Sequence, residues 1–326
     1  MRLRKLKFLM MFAAVAVLLA HTSCIKENRD DCPPPFNLRV IVEADAGIKL
    51  TYPERYNNIS SVWIYVFGSD GKFVTSWNGP AFSLTKEYVA LFSLPDDNYS
   101  FVVRTNLGTF YKASHTETQL RDGLHQAADV STYLDLAVFS GREITSDIPD
   151  SHGGLKNATV KGKNEQTITI PIVPHTYKVN FVVTGLTGFN PAVASNFTFT
   201  VTDKDFQHNF ENDKSARLGT TTVDYKYLRT AAPSANMTAS MIILGLDEPV
   251  HTPAFIFSHN TTPTVVTLYQ NDDLIEMIRE AYKAQKGSYP DFTKVFEFTV
   301  PFRFTTDMGV TLDLNYWDSI ENPTYL

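Results

Sequence analysis

Val62-Trp63-Ile64-Tyr65-Val66-Phe67 is an unbroken apolar run, closed by Gly68-Ser69-Asp70-Gly71, after which Phe73-Val74 resumes the apolar pattern. A short run of β-branched and aromatic residues bounded by glycine and aspartate reads as a buried strand, a tight loop and a return strand. Residues 62–76 are therefore expected to form a β-hairpin. The same signature recurs at 37–42, 88–94, 99–104, 134–139, 167–173, 177–183, 197–202, 223–228, 241–244, 254–258, 265–269, 295–304 and 310–314. Many short strands with turn residues between them are the mark of sandwiches and barrels.

Composition agrees. The chain has 326 residues, 43% hydrophobic and 20% charged, too apolar for disorder, and its 16 Gly and 17 Pro are too few for a fibrous protein. The 23 Phe, 15 Tyr and 3 Trp favour pleated, half-buried surfaces. A formal charge of −6 argues against nucleic acid as a bulk partner. One long helix is expected, opening at Asp272-Asp273, carrying Leu274, Ile275, Met277, Ile278 and Ala281 on its apolar face, and closing at Lys286-Gly287. A shorter one is expected within 117–127. Helices do not alternate with the strands, which excludes a parallel α/β design. The expected class is all-β: two β-sandwich domains in series with one or two short helices. Their boundary is placed at Pro171-Ile172-Val173-Pro174, giving an N-terminal sandwich over 37–171 and a C-terminal one over 172–326, with the polar stretch 147–164 as an excursion on the first.

The first residues carry an address. Arg2, Arg4, Lys5 and Lys7 precede an uncharged run over 8–20, which at 1.5 Å per residue reaches roughly 20 Å, short of the ~30 Å hydrocarbon core. This is an export signal over 1–23 rather than a span. His21-Thr22-Ser23-Cys24 then resembles the lipobox of bacterial lipoproteins, with His21 where an aliphatic residue is usual. That resemblance implies a mature N-terminus at Cys24 whose sulfur carries diacylglycerol; the alternative is ordinary cleavage near Ala20 with Cys24 free or disulfide-bonded. Four of the 29 basic residues and none of the 35 acidic ones precede Cys24, so the remainder is more acidic still and anionic lipid is not what would hold it. One acyl chain binds a membrane only marginally, so a stable anchor needs more than one. Residues 24–36 form a lipidated tether ending in Pro33-Pro34-Pro35, whose polyproline geometry suits a semi-rigid stalk. With Cys24 acylated, the only other cysteine, Cys32, has no partner in its own chain.

Candidate chemistry is sparse. Ser151-His152-Gly153-Gly154 is like the His-Gly-Gly oxyanion loop of esterases, but the chain has no G-x-S-x-G nucleophile turn. Asp203, Asp205, His208, Glu211 and Asp213 could offer oxygen ligands to calcium, yet lack the order of an EF-hand, and read as a solvated loop between strands. His115, His125, His175, His251 and His259 show neither i, i+4 pairing nor a neighbouring cysteine. Phosphate loops and dinucleotide fingerprints are missing. No catalytic residue, metal or cofactor is assigned, and the chain is not expected to be an enzyme.

Several pieces together resemble the FimB-type fimbrial anchor subunits of Bacteroidetes. They are Cys24 followed by Asp30-Asp31 and Cys32-Pro33, the 62–67 strand with its Asp70-Gly71 turn, and Tyr99-Ser100-Phe101-Val102-Val103-Arg104-Thr105-Asn106. Near the end come Asp273-Leu274-Ile275, Phe296-Glu297-Phe298-Thr299-Val300 and Val310-Thr311-Leu312-Asp313-Leu314-Asn315-Tyr316-Trp317, with Tyr316 where that family has glycine. The resemblance implies two transthyretin-like β-sandwiches, held to the outer membrane by lipid on Cys24 and exposed at the cell surface. It also implies a fimbrial shaft subunit as partner, joined by β-strand addition. Sheet edges are templates for another strand, and 310–326 is the candidate contact segment. Tyr316, Trp317 and Tyr325 are candidate aromatic anchors, with Trp317 alternatively closing its own sandwich core. A surface glycan-binding lipoprotein using exposed aromatics as sugar platforms is the second reading.

Overall fold

The computed structural model describes residues 36–108, 110–122, 126–139, 142–162, 164–185, 196–210, 216–228, 237–246, 252–261, 264–305 and 309–316. The first sandwich is built from β1 (Leu38–Ala44), β2 (Val62–Phe67), β3 (Phe73–Gly79), β4 (Tyr88–Phe92) and β5 (Asp97–Thr105). Short strands β6 (Tyr111–Ala113), β7 (Ser131–Leu134) and β8 (Glu143–Ile144) follow, then β9 (His152–Val160) and β10 (Gln166–Pro174). The rest comprises β11 (Thr176–Thr184), β12 (Phe197–Asn209), β13 (Ala216–Leu228), β14 (Met237–Leu244), β15 (Ala254–Thr261), β16 (Thr264–Asn271), β17 (Glu297–Phe304) and β18 (Val310–Leu312). Three α-helices are described: α1 (Ala46–Thr51), α2 (Glu117–Arg121) and α3 (Leu274–Lys286). The molecule is thus mainly β, as the sequence indicates.

In the first sheet the order is β3-β2-β5-β9-β10-β1-β4. Strands β9 and β10 meet only where Val173 and Pro174 face Gly153 and His152, so the path folds over at that corner. The arm β4-β1-β10 then lies against β3-β2-β5-β9, and Phe92 of β4 reaches Phe101 of β5 with 6.2 Å between ring centroids. Alternation decides which side chains meet: Leu38, Val40 and Val42 of β1 are buried against Val62, Ile64 and Val66 of β2. The opposite face of β2 is also covered, because Tyr65 and Phe67 pack with Phe73, Leu120 of α2 and Phe210 at the end of β12.

The second sandwich pairs β14-β11-β17-β18 with β16-β15-β12-β13-β8. Its core is a stack of phenylalanines: Phe181 of β11 lies 4.5 Å from Phe255 of β15, and Phe255 lies 5.2 Å from Phe302 of β17. Fully burying each such ring contributes roughly 1.5–3 kcal/mol. Helix α3 starts where expected, with the Asp273 carboxylate accepting from Glu276 N–H, and stops at Gly287, whose φ of 77° suits a residue without Cβ. It buries Leu274, Met277, Ile278 and Ala281, and Tyr282 meets Phe298 of β17 edge-on.

Several elements differ from the expectation. The stretch 147–164 is no excursion: β9 runs through it and pairs with β5 along its length. Its polar residues Lys156 and Asn157 point outward, and Gly154 lets the strands close, since a Cβ there would meet Pro171 O at 2.5 Å. Residues 134–139 do not form one strand; β7 ends at Leu134, and the Asp135 carboxylate caps a 3-10 turn over Leu136–Val138 by accepting from Ala137 N–H. The boundary placed at 171–174 falls inside β10, and the change of sheet comes at His175. Strands β6, β7 and β8, early in the chain, join the later sheet: β7 pairs with β12 and β8 runs parallel to β13. Asp203, Asp205 and His208 lie in strand β12 rather than a loop, because the hairpin with β13 extends further than its apolar core.

Candidate functional site

The C-terminal contact region begins at β18, which pairs antiparallel with β17 through Phe302↔Leu312 and Phe304↔Val310. The chain then turns: Asp313 N–H donates to Pro301 O at 2.9 Å, and Tyr316 N–H reaches Asp313 O at 3.3 Å. Arg303 and the buried Asp313 form an ion pair at 3.2 Å that fixes the turn. Tyr316 is half-buried, and burial together with the Asp313 charge pushes its hydroxyl pKa up. Leu314 beside it is 41% exposed. Trp317, Tyr325, Cys24 and Cys32 lie outside the described residues, as do His125, His251, Glu211 and Asp213. Tyr316 is therefore the one candidate anchor whose surroundings are defined.

The same flank carries the outer strand β16. Tyr269 of β16 packs 5.1 Å from Phe302, the residue paired with Leu312, so β16 and β18 border one side of the second sandwich. Val265 is 64% and Val266 45% exposed on that side. The sequence marks this strand but not its exposure, since apolar residues at an edge look the same as apolar residues in a core.

Polar groups that could have been chemistry serve the junction between the sandwiches. Arg55, 2% exposed, meets Asp150 at 2.7 Å and donates to Thr176 O at 2.7 Å; the Thr176 hydroxyl donates to Asp150 at 2.7 Å. The pair thus ties the segment after α1 to the first residue of β11. Burial raises the Asp150 pKa although Arg55 draws it the other way. His152 is fully buried. Its Nε2 donates to Arg55 O at 3.0 Å, since a carbonyl can only accept, and Nδ1 faces the Thr105 hydroxyl at 3.1 Å. Burial, with the Arg55 charge, drives the His152 pKa well below 6.5, so the ring is neutral. Both ring nitrogens are thus engaged, and the buried Ser151 hydroxyl has no hydrogen-bond partner among the described residues, so this pair is not an activated nucleophile and base. None of these distant partners is legible as a pair in sequence.

A second tie joins the sandwiches through Arg104, fully buried on β5. It donates to Asn209 O at 2.8 Å and lies 4.8 Å from the Phe210 ring centroid. Among the described residues no cluster of three His, Cys, Asp or Glu side chains is placed to hold a metal. No described helix is long and apolar enough to cross a membrane. Trp63 and Trp77 are half-buried, the first stacked on Tyr65 and the second edge-on to Tyr88.

Residues 29–323 match the family model of the Fimbrillin-A associated anchor proteins Mfa1 and Mfa2. The chain belongs to this family. Solved structures of similar fold include a candidate adhesin from Bacteroides thetaiotaomicron, 15% identical, with a TM-score of 0.68 over 86% of this chain and 95% of that one. Another is the fimbrial anchor protein Mfa2 from Porphyromonas gingivalis, 15% identical, with a TM-score of 0.61 over 84% and 94%. A third, a candidate polysaccharide-binding protein from Bacteroides thetaiotaomicron, is 16% identical, with a TM-score of 0.63 over 82% and 91%. Among curated proteins no sequence matches. At these identities the structures speak for the fold, and the family model carries the assignment. Membership in the anchor family gives the chain a role in fimbriae at the cell surface or envelope, and the family is structural rather than catalytic.

Proposed function

We propose that this anchor-family protein is an outer-membrane lipoprotein that fastens a fimbrial filament to the cell, held by diacylglycerol on Cys24 and joined to a shaft subunit by β-strand addition. One observation carries the reading: the family match begins at residue 29, directly after a signal-type run and a lipobox-like cysteine. The region 24–36 then acts as a short stalk, and the two sandwiches transmit load from membrane to shaft. Strand addition at the C-terminal flank draws on backbone hydrogen bonds and alternate side-chain burial. Tyr316, Trp317 and Tyr325 are the aromatic groups proposed to fill the contact.

Load-bearing of this kind suits the buried ties described above, Arg55 with Asp150 and Arg104 with Asn209, because they connect the sandwiches by short, water-excluded contacts. Mass spectrometry of the mature N-terminal peptide tests the lipid: the reading expects Cys24 first and diacylated, and an unmodified thiol there refutes it. Co-purification from native cells tests the partner: a shaft subunit is expected with the wild-type chain and lost when 310–326 is deleted. Retention of the shaft by the deleted chain contradicts the proposed contact segment.

A further inference from the structure

Two long parallel strand pairs stand on either side of the junction. Strand β1 runs parallel to β10 over seven register pairs, from Leu38↔Gln166 to Ala44↔Ile172. Strand β11 runs parallel to β17 over seven more, from Lys178↔Glu297 to Thr184↔Arg303. Apart from the two-residue contact of β8 with β13, the other ladders among the described residues are antiparallel. A single residue, His175, separates Pro174 at the end of β10 from Thr176 at the start of β11. That link is pinned on both sides: His175 N–H donates to Ser151 O at 2.7 Å, and Gly245 N–H donates to His175 O at 3.3 Å. The junction meets the last residues of β1, where Asp45 N–H donates to Ile172 O at 3.1 Å. It also meets the residue before β17, where Phe296 stands edge-on to Tyr52 with 6.3 Å between ring centroids. The first residue of β1 and the last of β17 therefore lie at the ends remote from the junction.

We propose that β1–β10 and β11–β17, in series through His175, are the line along which the molecule carries tension, each pair being loaded in shear. The inference rests on the anchoring function proposed above, which places the pull between the N-terminus and the C-terminal flank. Such a pull drags β1 against β10, and β17 against β11, from opposite ends of each pair. Strands pulled from opposite ends must slide, so all the bonds between them strain together; strands pulled from the same end open one bond at a time. Sliding meets a second obstacle, because a slip of one residue turns every buried side chain to the wrong face. The side chains concerned are deep: Val42 stands opposite Ile170, Ala44 opposite Ile172, Phe181 opposite Val300 and Val183 opposite Phe302, and all are buried. The chain also crosses between the sandwiches before β6 and after β8, but β1 itself pairs only with β10 and β4, and β17 only with β11 and β18. Strand β18 holds β17 through just three antiparallel register pairs and gives way first when pulled from its own C-terminal end.

Optical-tweezers pulling of the purified mature chain, made without its lipid and with Cys32→Ser, tests the direction of loading. Handles on Cys24 and on Thr305→Cys, exposed directly after β17, load both pairs in shear. Handles on Cys24 and on Glu165→Cys, exposed directly before β10, open β1 from β10 at their shared end. Handles on Thr184→Cys and Thr305→Cys, with Cys24→Ser, open β17 from β11 in the same way. All three chains are first matched to the wild-type midpoint in guanidinium chloride, so that a difference in force reports direction and not stability. At one loading rate the shear force should exceed both opening forces by about two-fold or more, since forced rupture follows the barrier met along the pull. A shear force no higher than one or both of the opening forces overturns the proposal. That result concerns the isolated chain and leaves the lipid and the shaft contact standing, whereas failure of the anchoring function shows as filaments retained on cells carrying Cys24→Ala.

Discussion

Replacing Arg55 by Met removes the positive half of the buried pair at the junction while keeping side-chain bulk. Asp150, 8% exposed at its side chain, is then left with the Thr176 hydroxyl as its remaining side-chain donor among the described residues. Thr176 O loses its guanidinium donor as well. Breaking one side of a buried ion pair costs about 3–5 kcal/mol, because an uncompensated charge stays in a dry site. The lower end is expected here, since burial already raises the Asp150 pKa and the carboxyl can relieve the cost by taking up a proton. Changing both partners, Arg55→Met with Asp150→Asn, removes the charge altogether and should recover most of the loss, to within about 1–2 kcal/mol of wild type. Equilibrium unfolding in guanidinium chloride, followed by tryptophan fluorescence, gives both values. A single-variant loss below about 1 kcal/mol, or a double variant no more stable than the single one, refutes the reasoning that this pair locks the junction.

Phe210→Ala should cost about 3–5 kcal/mol by thermal or chemical unfolding, because it empties the centre of the second cluster around Tyr65, Phe67 and Leu120 and strips the ring from Arg104. His152 is neutral when folded and binds a proton when unfolded below about pH 6.5, so the unfolded state gains protons as pH falls. Stability should therefore decline below that pH, approaching about 1.4 kcal/mol per pH unit, and His152→Gln should flatten that part of the profile even if it lowers the whole curve. Asp273→Ala removes the α3 cap to Glu276 N–H and should cost about 1 kcal/mol by the same unfolding measurement.

The hairpin of β2 and β3 and the helix α3 were legible because their signals are local: an apolar run with a glycine-aspartate loop, and a capped amphipathic face. Strand β9 was not, since His152-Gly153-Gly154 reads as a loop and its burial comes from neighbours β5 and β10 far away in sequence. The same holds for β7 and β8, too short to show a period and stabilised by pairing with strands from the other half of the chain, and for β6, which pairs with β7. For the contact surface, the aromatic cluster at Tyr316-Trp317 is visible in sequence, whereas the exposed edge of β16 is not. Burial of Val265 and Val266 depends on whether another strand follows in space. Arg55 and Asp150 stand 95 positions apart, and nothing local to either marks it as half of an ion pair.

Filament retention on living cells tests the account most directly. With Cys24→Ala in place of the wild-type chain, the share of fimbrial filaments recovered from the medium should rise from a minor fraction to the majority, with the altered protein shed alongside them. Filaments that stay on cells lacking the acylated cysteine would contradict the claim that this chain ties them to the membrane.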